Sequence, residues 1–170
     1  RADLLQDPAS PSIGPAGADV VLVQFFDYRC PYCKQVAEPV IKLAREDPKL
    51  RVVFKELPIL GPDSVVASRA ALAAAMQGRY QDFHLKLMAR RGPMDEASVI
   101  ALARESGLDA ARLKADMDRP EVMAQIERNR GLARDLGIRG TPAFVIGDEV
   151  VPGAIDEQTM RQLVARARRR

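Results

Sequence analysis

Val20-Val21-Leu22-Val23-Gln24-Phe25-Phe26-Asp27-Tyr28-Arg29-Cys30-Pro31-Tyr32-Cys33 passes from a strand pattern into a helix pattern, and the only two cysteines of the chain sit at the junction. The first half is a run of β-branched, aliphatic and aromatic side chains, the composition of a buried strand. The second half is a Cys-x-x-Cys. A thiol at the first turn of a helix faces backbone N–H groups that have no intrahelical partner, together with the positive end of the helix dipole. Both favour thiolate over thiol, so Cys30 is expected to be the reactive sulfur. Cys33, one turn farther in and more enclosed, is placed to resolve what Cys30 forms. Pro31 suits the first turn because its missing N–H would have had no partner there. Closing so short a loop constrains little of the unfolded chain, and two cysteines cannot build a disulfide scaffold. The pair reads as a reversible redox switch.

A length of 170 residues allows one core, or one core with a substantial insertion. Hydrophobic residues make up 47% and charged residues 29%, an ordinary balance for a globular protein. No apolar stretch is long enough to cross a bilayer, and no secretory signal opens the chain. If the protein is exported, that signal has been removed. The net charge of +3 is not read as a nucleic-acid footprint. Five of the 26 basic residues are arginines within 161–170, and the other 21 face 23 acidic ones. The arginine-rich end is expected to stay solvated and to favour the negative end of its own helix dipole.

Prolines 8, 11 and 15 with Gly14 and Gly17 give residues 1–19 the character of an extended lead-in with little regular structure. Apolar spacing predicts a helix from Lys34 to Arg45, with Pro39 interrupting and bending it. A second strand is expected at 51–57, followed by a sharp loop at Pro58, Gly61 and Pro62. Helical segments follow near 64–77, 80–90, 95–106, 109–118 and 121–136. Asp109 is a good N-cap, with Leu108 and Leu113 as a hydrophobic staple around it. The strand pattern returns at Ala143–Ile146 and Glu149–Val151 around the tight-turn pair Gly147-Asp148. A last helix starts near Asp156.

Three separated stretches resemble one family in the order found there. They are Phe25-Phe26-Asp27-Tyr28-Arg29-Cys30-Pro31-Tyr32-Cys33-Lys34, Phe54-Lys55-Glu56-Leu57-Pro58-Ile59-Leu60-Gly61-Pro62 and Arg139-Gly140-Thr141-Pro142-Ala143-Phe144. The chain resembles bacterial DsbA-like thiol:disulfide oxidoreductases of the thioredoxin superfamily, most nearly the Com1 and ScsC types. The resemblance implies an α/β thioredoxin fold with an inserted all-helical subdomain, the thioredoxin-like part being 20–62 and 138–170 and the insertion 63–137. It also implies a nucleophilic Cys30, a resolving Cys33 and a redox-tuning Pro31-Tyr32. Thr141-Pro142 would be the family's cis-proline loop, although X-Pro bonds are mostly trans. There the Thr141 backbone would pair with an extended substrate as an added strand. Thr at 141 resembles the isomerase branch more than the oxidase branch, where Val is usual.

The same residues admit other chemistries. Zinc on the Cys-x-x-Cys would need further ligands, and the only other soft candidate is His84, which falls inside a helical pattern and reads as a packed or surface residue. A thioredoxin-fold binding or scaffolding module with an inert disulfide is the rival from another class. Lys55 and Glu56 could move a proton at the buried thiol or be solvated strand-end charges. Asp27, as an anion near Cys30, is equally double-sided. Tyr32 could contact substrate or merely cover the sulfurs. Met76, Met88, Met94, Met117 and Met123 read as core packing, with a methionine-lined groove as the minority view.

The expected activity needs no cofactor. Its partners would be unfolded or misfolded cysteine-containing proteins, and a membrane redox partner that reoxidises or reduces the chain. An oxidising bacterial compartment, the periplasm or cell envelope, follows from the chemistry, because a disulfide donor persists only there. Homo-oligomerisation through an absent N-terminal segment is a further expectation.

Overall fold

Strand β2 (Val20–Phe26) is buried on both faces along almost its whole length, which is why its sequence is continuously apolar rather than alternating. It lies at the centre of a five-stranded sheet, with β1 (Ser12–Ile13), β3 (Leu50–Glu56), β4 (Ala143–Ile146) and β5 (Glu149–Pro152) in the order β1-β3-β2-β4-β5, in this computed structural model, which describes residues 2–170. β3 (Leu50–Glu56) runs parallel to it, with Val20 opposite Leu50 and Phe26 opposite Glu56. On the other side β4 (Ala143–Ile146) pairs antiparallel and turns at Gly147-Asp148 into β5 (Glu149–Pro152). Gly147 takes the positive φ, 66°, that this two-residue turn requires.

The two-residue period of the strands divides the core into layers. Leu22, Phe26, Val52, Phe54, Phe144 and Ile146 point to one face, covered by α2 (Pro31–Glu46) and α8 (Glu157–Arg168), with α4 (Tyr80–Ala89) packed on α2. Val23, Phe25, Val53 and Val145 point to the other, covered by α1 (Ala2–Leu5) and α7 (Pro120–Asp135). Each fully buried Phe or Leu in these layers contributes about 1.5–3 kcal/mol. Between β3 and β4 the chain is helical. α3 (Pro62–Ala75) sits amid α4, α5 (Glu96–Glu105), α6 (Ala110–Met117) and α7. Its buried Ala67, Ala70, Ala71, Ala73 and Ala74 let those neighbours approach closely. Asp95, Asp109 and Asp156 cap α5, α6 and α8 by accepting from the N–H groups of Ser98, Arg112 and Thr159.

Two expectations are corrected and a third is refined. The lead-in carries more order than its prolines suggest: α1 forms, and β1 (Ser12–Ile13) pairs antiparallel with β3. Gly14 makes that pairing workable, because a Cβ there would lie 2.2 Å from the Leu50 carbonyl oxygen. Pro39 does not interrupt its helix, which runs unbroken from Pro31 to Glu46. Losing one donor inside a helix anchored by seven buried side chains is tolerable. The C-terminal arginines keep the exposure expected of a solvated end, and four of the five also pair with carboxylates. Arg161 pairs with Glu46 and Glu157, Arg166 with Glu149, Arg168 with Asp19 and Asp47, and Arg170 with Asp148. Exposed pairs of this kind contribute at most about 1 kcal/mol each, but they offset most of the positive charge of the basic end.

Candidate active site

Cys30 is the N-cap of α2, with extended backbone (φ −81°, ψ 119°), and Pro31 opens the helix behind it. The Cys33 N–H, one of the first-turn donors without an intrahelical acceptor, points at the Cys30 sulfur at 3.4 Å. From the other side the Cys30 thiol donates to the Thr141 carbonyl oxygen, also at 3.4 Å. Thr141-Pro142 is cis and leads directly into β4. Two distant stretches, 27–34 and 139–144, are thus brought into contact at one sulfur. Both thiols are unbridged here. Cys30 keeps 5% of its surface exposed, whereas Cys33 is fully enclosed. That burial pushes the Cys33 thiol well above the ordinary range, a backbone N–H from Asp27 only partly opposing it. Tyr32, by contrast, is 60% exposed beside the pair.

The approach to Cys30 is held by a carboxylate. Asp27 is fully buried and accepts four hydrogen bonds: from the N–H of Arg29 (2.7 Å) and the Ser64 hydroxyl (2.8 Å) on one oxygen, and from the N–H groups of Ile59 (2.8 Å) and Leu60 (3.0 Å) on the other. Its carbonyl receives the Cys30 N–H. One side chain therefore fastens the Cys30 turn, the loop after β3 and the start of α3. Its negative charge, which sequence alone set against the neighbouring sulfur, is spread over these four donors. On the far side of the cysteines, the Lys34 ammonium donates to the carbonyls of Leu87, Met88 and Arg90 at 2.8–3.2 Å and closes the C-terminal end of α4. Burial, and secondarily Arg91, lowers the Lys34 pKa.

Lys55 and Glu56 are not solvated strand-end charges: both are fully buried. Being consecutive on a strand, they point to opposite faces. Lys55 turns away from the layer that holds the cysteines and fastens the lead-in, donating to the Asp3 carbonyl (2.8 Å) and the Ser10 hydroxyl (2.7 Å), with Asp7 at 3.8 Å. Glu56 joins a buried cluster that spacing could not have revealed. Its Oε2 accepts from Tyr28 (2.9 Å) and Tyr80 (2.5 Å). The single Tyr28 proton is then spent, so His84 is assigned as the neutral tautomer donating from Nδ1 to the Tyr28 oxygen at 2.7 Å. Phe26 and Phe54 meet the imidazole ring at their edges and faces. His84 is thereby locked in this cluster. Of the methionines, Met88, Met94 and Met117 are core, while Met76 lies partly exposed.

This cluster gives the fold a pH dependence. Burial lifts the Glu56 carboxyl to about 8 against the pull of the hydroxyls around it, and lowers the His84 imidazole to about 3. An acid held higher in the folded than in the unfolded chain stabilises fully below its unfolded value and loses that contribution as pH rises through the folded one. Glu56 therefore weakens the fold from pH 4.5 to about 8. His84, held neutral, weakens it only as pH falls from 6.5 toward 3. Lys55, lowered to about 8 from 10.5 by burial, begins to lose its proton in the folded chain only toward the upper end of the Glu56 range. The window from pH 6.5 to 7.5 therefore reports chiefly on Glu56. Urea titrations there should show stability falling by about 1–2 kcal/mol, and Glu56→Gln should flatten the slope. An unchanged slope in the variant would assign it to another group.

A family model described as a DSBA-like thioredoxin domain matches residues 21–165. The crystal structure of a thioredoxin-like oxidoreductase from Silicibacter pomeroyi is 45% identical and superposes with a TM-score of 0.96, covering 100% of this chain and 98% of that one. The catalytic domain of Proteus mirabilis ScsC is 33% identical with a TM-score of 0.90, covering 99% and 94%. The Thiol:disulfide interchange protein DsbA of Bordetella parapertussis is 28% identical over 83% of this chain and 68% of its own length. A Na(+)/H(+) antiporter, NhaA, of Herminiimonas arsenicoxydans is 32% identical over 98% of this chain. The chain spans only 27% of that antiporter and similarly small shares of two others it matches. Among the described residues no helix is long and apolar enough to cross a membrane.

Proposed function

The chain belongs to the DSBA-like thioredoxin domain family, and from that premise we propose that it exchanges disulfides with cysteine-containing proteins through Cys30 and Cys33. One observation carries the reading: the Cys30 sulfur lies at the mouth of α2 between the Cys33 N–H and the Thr141 carbonyl, while Cys33 is sealed behind it. A client thiolate can reach only the outer sulfur of a Cys30–Cys33 disulfide. Attack there forms a client–Cys30 mixed disulfide and releases Cys33 as the leaving thiolate. A second client thiolate then attacks the client sulfur and expels the Cys30 thiolate, giving a client disulfide and a chain reduced by two electrons. In the opposite direction, the Cys30 thiolate attacks a client disulfide and Cys33 resolves the product. The Cys33 N–H is aimed where charge develops on sulfur in both directions.

Thr141 supports a docking role. Its N–H has no hydrogen-bond partner among the described residues, and it stands next to the Cys30 sulfur, so an extended client can add its own backbone there. Pro31 and Tyr32 lie exposed on the approach and would tune the pair. A membrane redox partner would reset the pair, and an oxidising envelope compartment suits the chemistry. A paired ribonuclease assay tests the function. The oxidised chain should refold reduced ribonuclease, or the reduced chain should repair scrambled ribonuclease, at rates well above glutathione buffer alone. Silence in both would leave a binding module with an inert disulfide.

A further inference from the structure

The surface around Cys30 combines two features. Of the five exposed large apolar side chains among the described residues, Tyr32, Ile59 and Leu60 stand here, the last two at 45% and 44% exposure. Around them are three exposed arginines, Arg29, Arg91 and Arg139, none of which makes an ion pair among the described residues. Arg29 adjoins Cys30 and lies over the Leu60 carbonyl at 3.0 Å. Arg91 lines a groove of about 480 Å³ beside Pro31, with Gln35, Glu38 and Met88. Arg139 comes two residues before Thr141, so its backbone lies within about 7 Å of the residue that touches the Cys30 sulfur. The carboxylates bordering this surface are Glu38, which lines the same groove as Arg91, and Asp63 in the first turn of α3. Asp27 is sealed beneath, with its four donors. By contrast, Arg161, Arg166, Arg168 and Arg170 at the other end of the chain are tied to carboxylates.

We propose that this apolar patch ringed by unpaired guanidiniums selects client segments whose reacting cysteine is flanked by aspartate or glutamate. The proposal rests on the disulfide-exchange reading and names its preferred clients. An extended segment laid along Thr141 with its cysteine over Cys30 passes Arg139, and continues past Arg29 toward the groove and Arg91. Its acidic side chains meet guanidiniums that make no ion pair among the described residues, and its apolar side chains meet Tyr32, Ile59 and Leu60. Basic flanks meet repulsion at the same places, so the ring acts against wrong clients as well as for right ones. The effect falls chiefly on encounter and is screened by salt.

The test uses three reduced peptides of one length, each with one cysteine flanked by aspartates, by alanines or by lysines, reacting with the oxidised chain in stopped flow. Each peptide's rate is divided by its rate with the uncharged disulfide of 2-mercaptoethanol, which removes differences in its own thiol reactivity without adding a charge preference. At low salt the acidic peptide should react roughly fivefold to tenfold faster than the alanine peptide, and the lysine peptide slower. At 0.5 M salt the spread should shrink to about twofold or less. In a chain carrying Arg91→Glu and Arg139→Glu the order should invert. Equal normalised rates in the parent chain, or an acidic preference that survives the charge reversal, would overturn the proposal while leaving the exchange reading intact. Failure of all three peptides to react would remove the exchange reading, and this proposal with it.

Discussion

A Cys30→Ser chain will neither oxidise reduced ribonuclease nor repair the scrambled form, its rate falling by on the order of 10³-fold or more, as when a covalent nucleophile is lost. The reason is geometric before it is chemical. Cys33 has no exposed surface, and burial holds its thiol protonated, so nothing remains that a client can attack. The loss should occur without loss of the fold, because serine at the N-cap keeps an acceptor for the Cys33 N–H. Circular dichroism and urea midpoints should therefore match the parent's. If the serine chain retained even a tenth of the exchange rate, Cys33 would have to be reached by a route that the structure closes.

The second large effect is expected at Asp27, a position that takes no part in the exchange. Asp27→Ala removes the acceptor of three backbone N–H groups and the Ser64 hydroxyl in a fully buried place. Leaving such donors unsatisfied costs about 1–3 kcal/mol for each that finds no water, so a total of about 3–5 kcal/mol is expected once water enters the loop. In a chain of this size that lowers Tm by roughly 10 °C. Asp27→Asn keeps one acceptor oxygen and should lose about half as much. Thermal unfolding of the three chains checks the order. A loss below about 1 kcal/mol in the alanine chain would mean that the turn before Cys30 is held by something other than this carboxylate.

What the sequence makes legible here is whatever local chemistry repeats at a fixed spacing. The apolar run of β2, the cysteine pair at a helix start and the Gly147-Asp148 turn each announce their element, because period and turn conformation are local constraints. Asp109 as an N-cap is of the same kind. Burial of charge is not local. Lys55 and Glu56 sit at a strand end and read as solvated, but Lys55 meets Ser10 and Asp3 from 45 and 52 residues away, and Glu56 meets Tyr28 and Tyr80 from 28 and 24. Only the folded chain says that those groups arrive. His84 is similar: its helical spacing shows a buried side, and nothing in that spacing reveals that Tyr28, two residues before Cys30, is its partner. Asp27 is an intermediate case. Its bond to the Arg29 N–H two residues on is a turn signal readable in advance, whereas those to Ile59, Leu60 and Ser64 depend on tertiary structure. Pro39 errs the other way, since a strong local rule is overridden by the burial of Val36, Ala37, Val40 and Ile41 on the same helix.

The roles assigned to the two sulfurs meet their most direct test in the Cys33→Ser chain. Reduced and mixed with a disulfide-bonded client peptide, it should accumulate a one-to-one mixed disulfide, because attack by Cys30 proceeds and no inner thiol is present to resolve it. Peptide mapping by mass spectrometry should place the client on Cys30 in nearly every adduct. A Cys33→Ser chain that forms no adduct, or a Cys30→Ser chain that forms one as fast on Cys33, would contradict the division of labour between an outer attacking sulfur and a sealed resolving one.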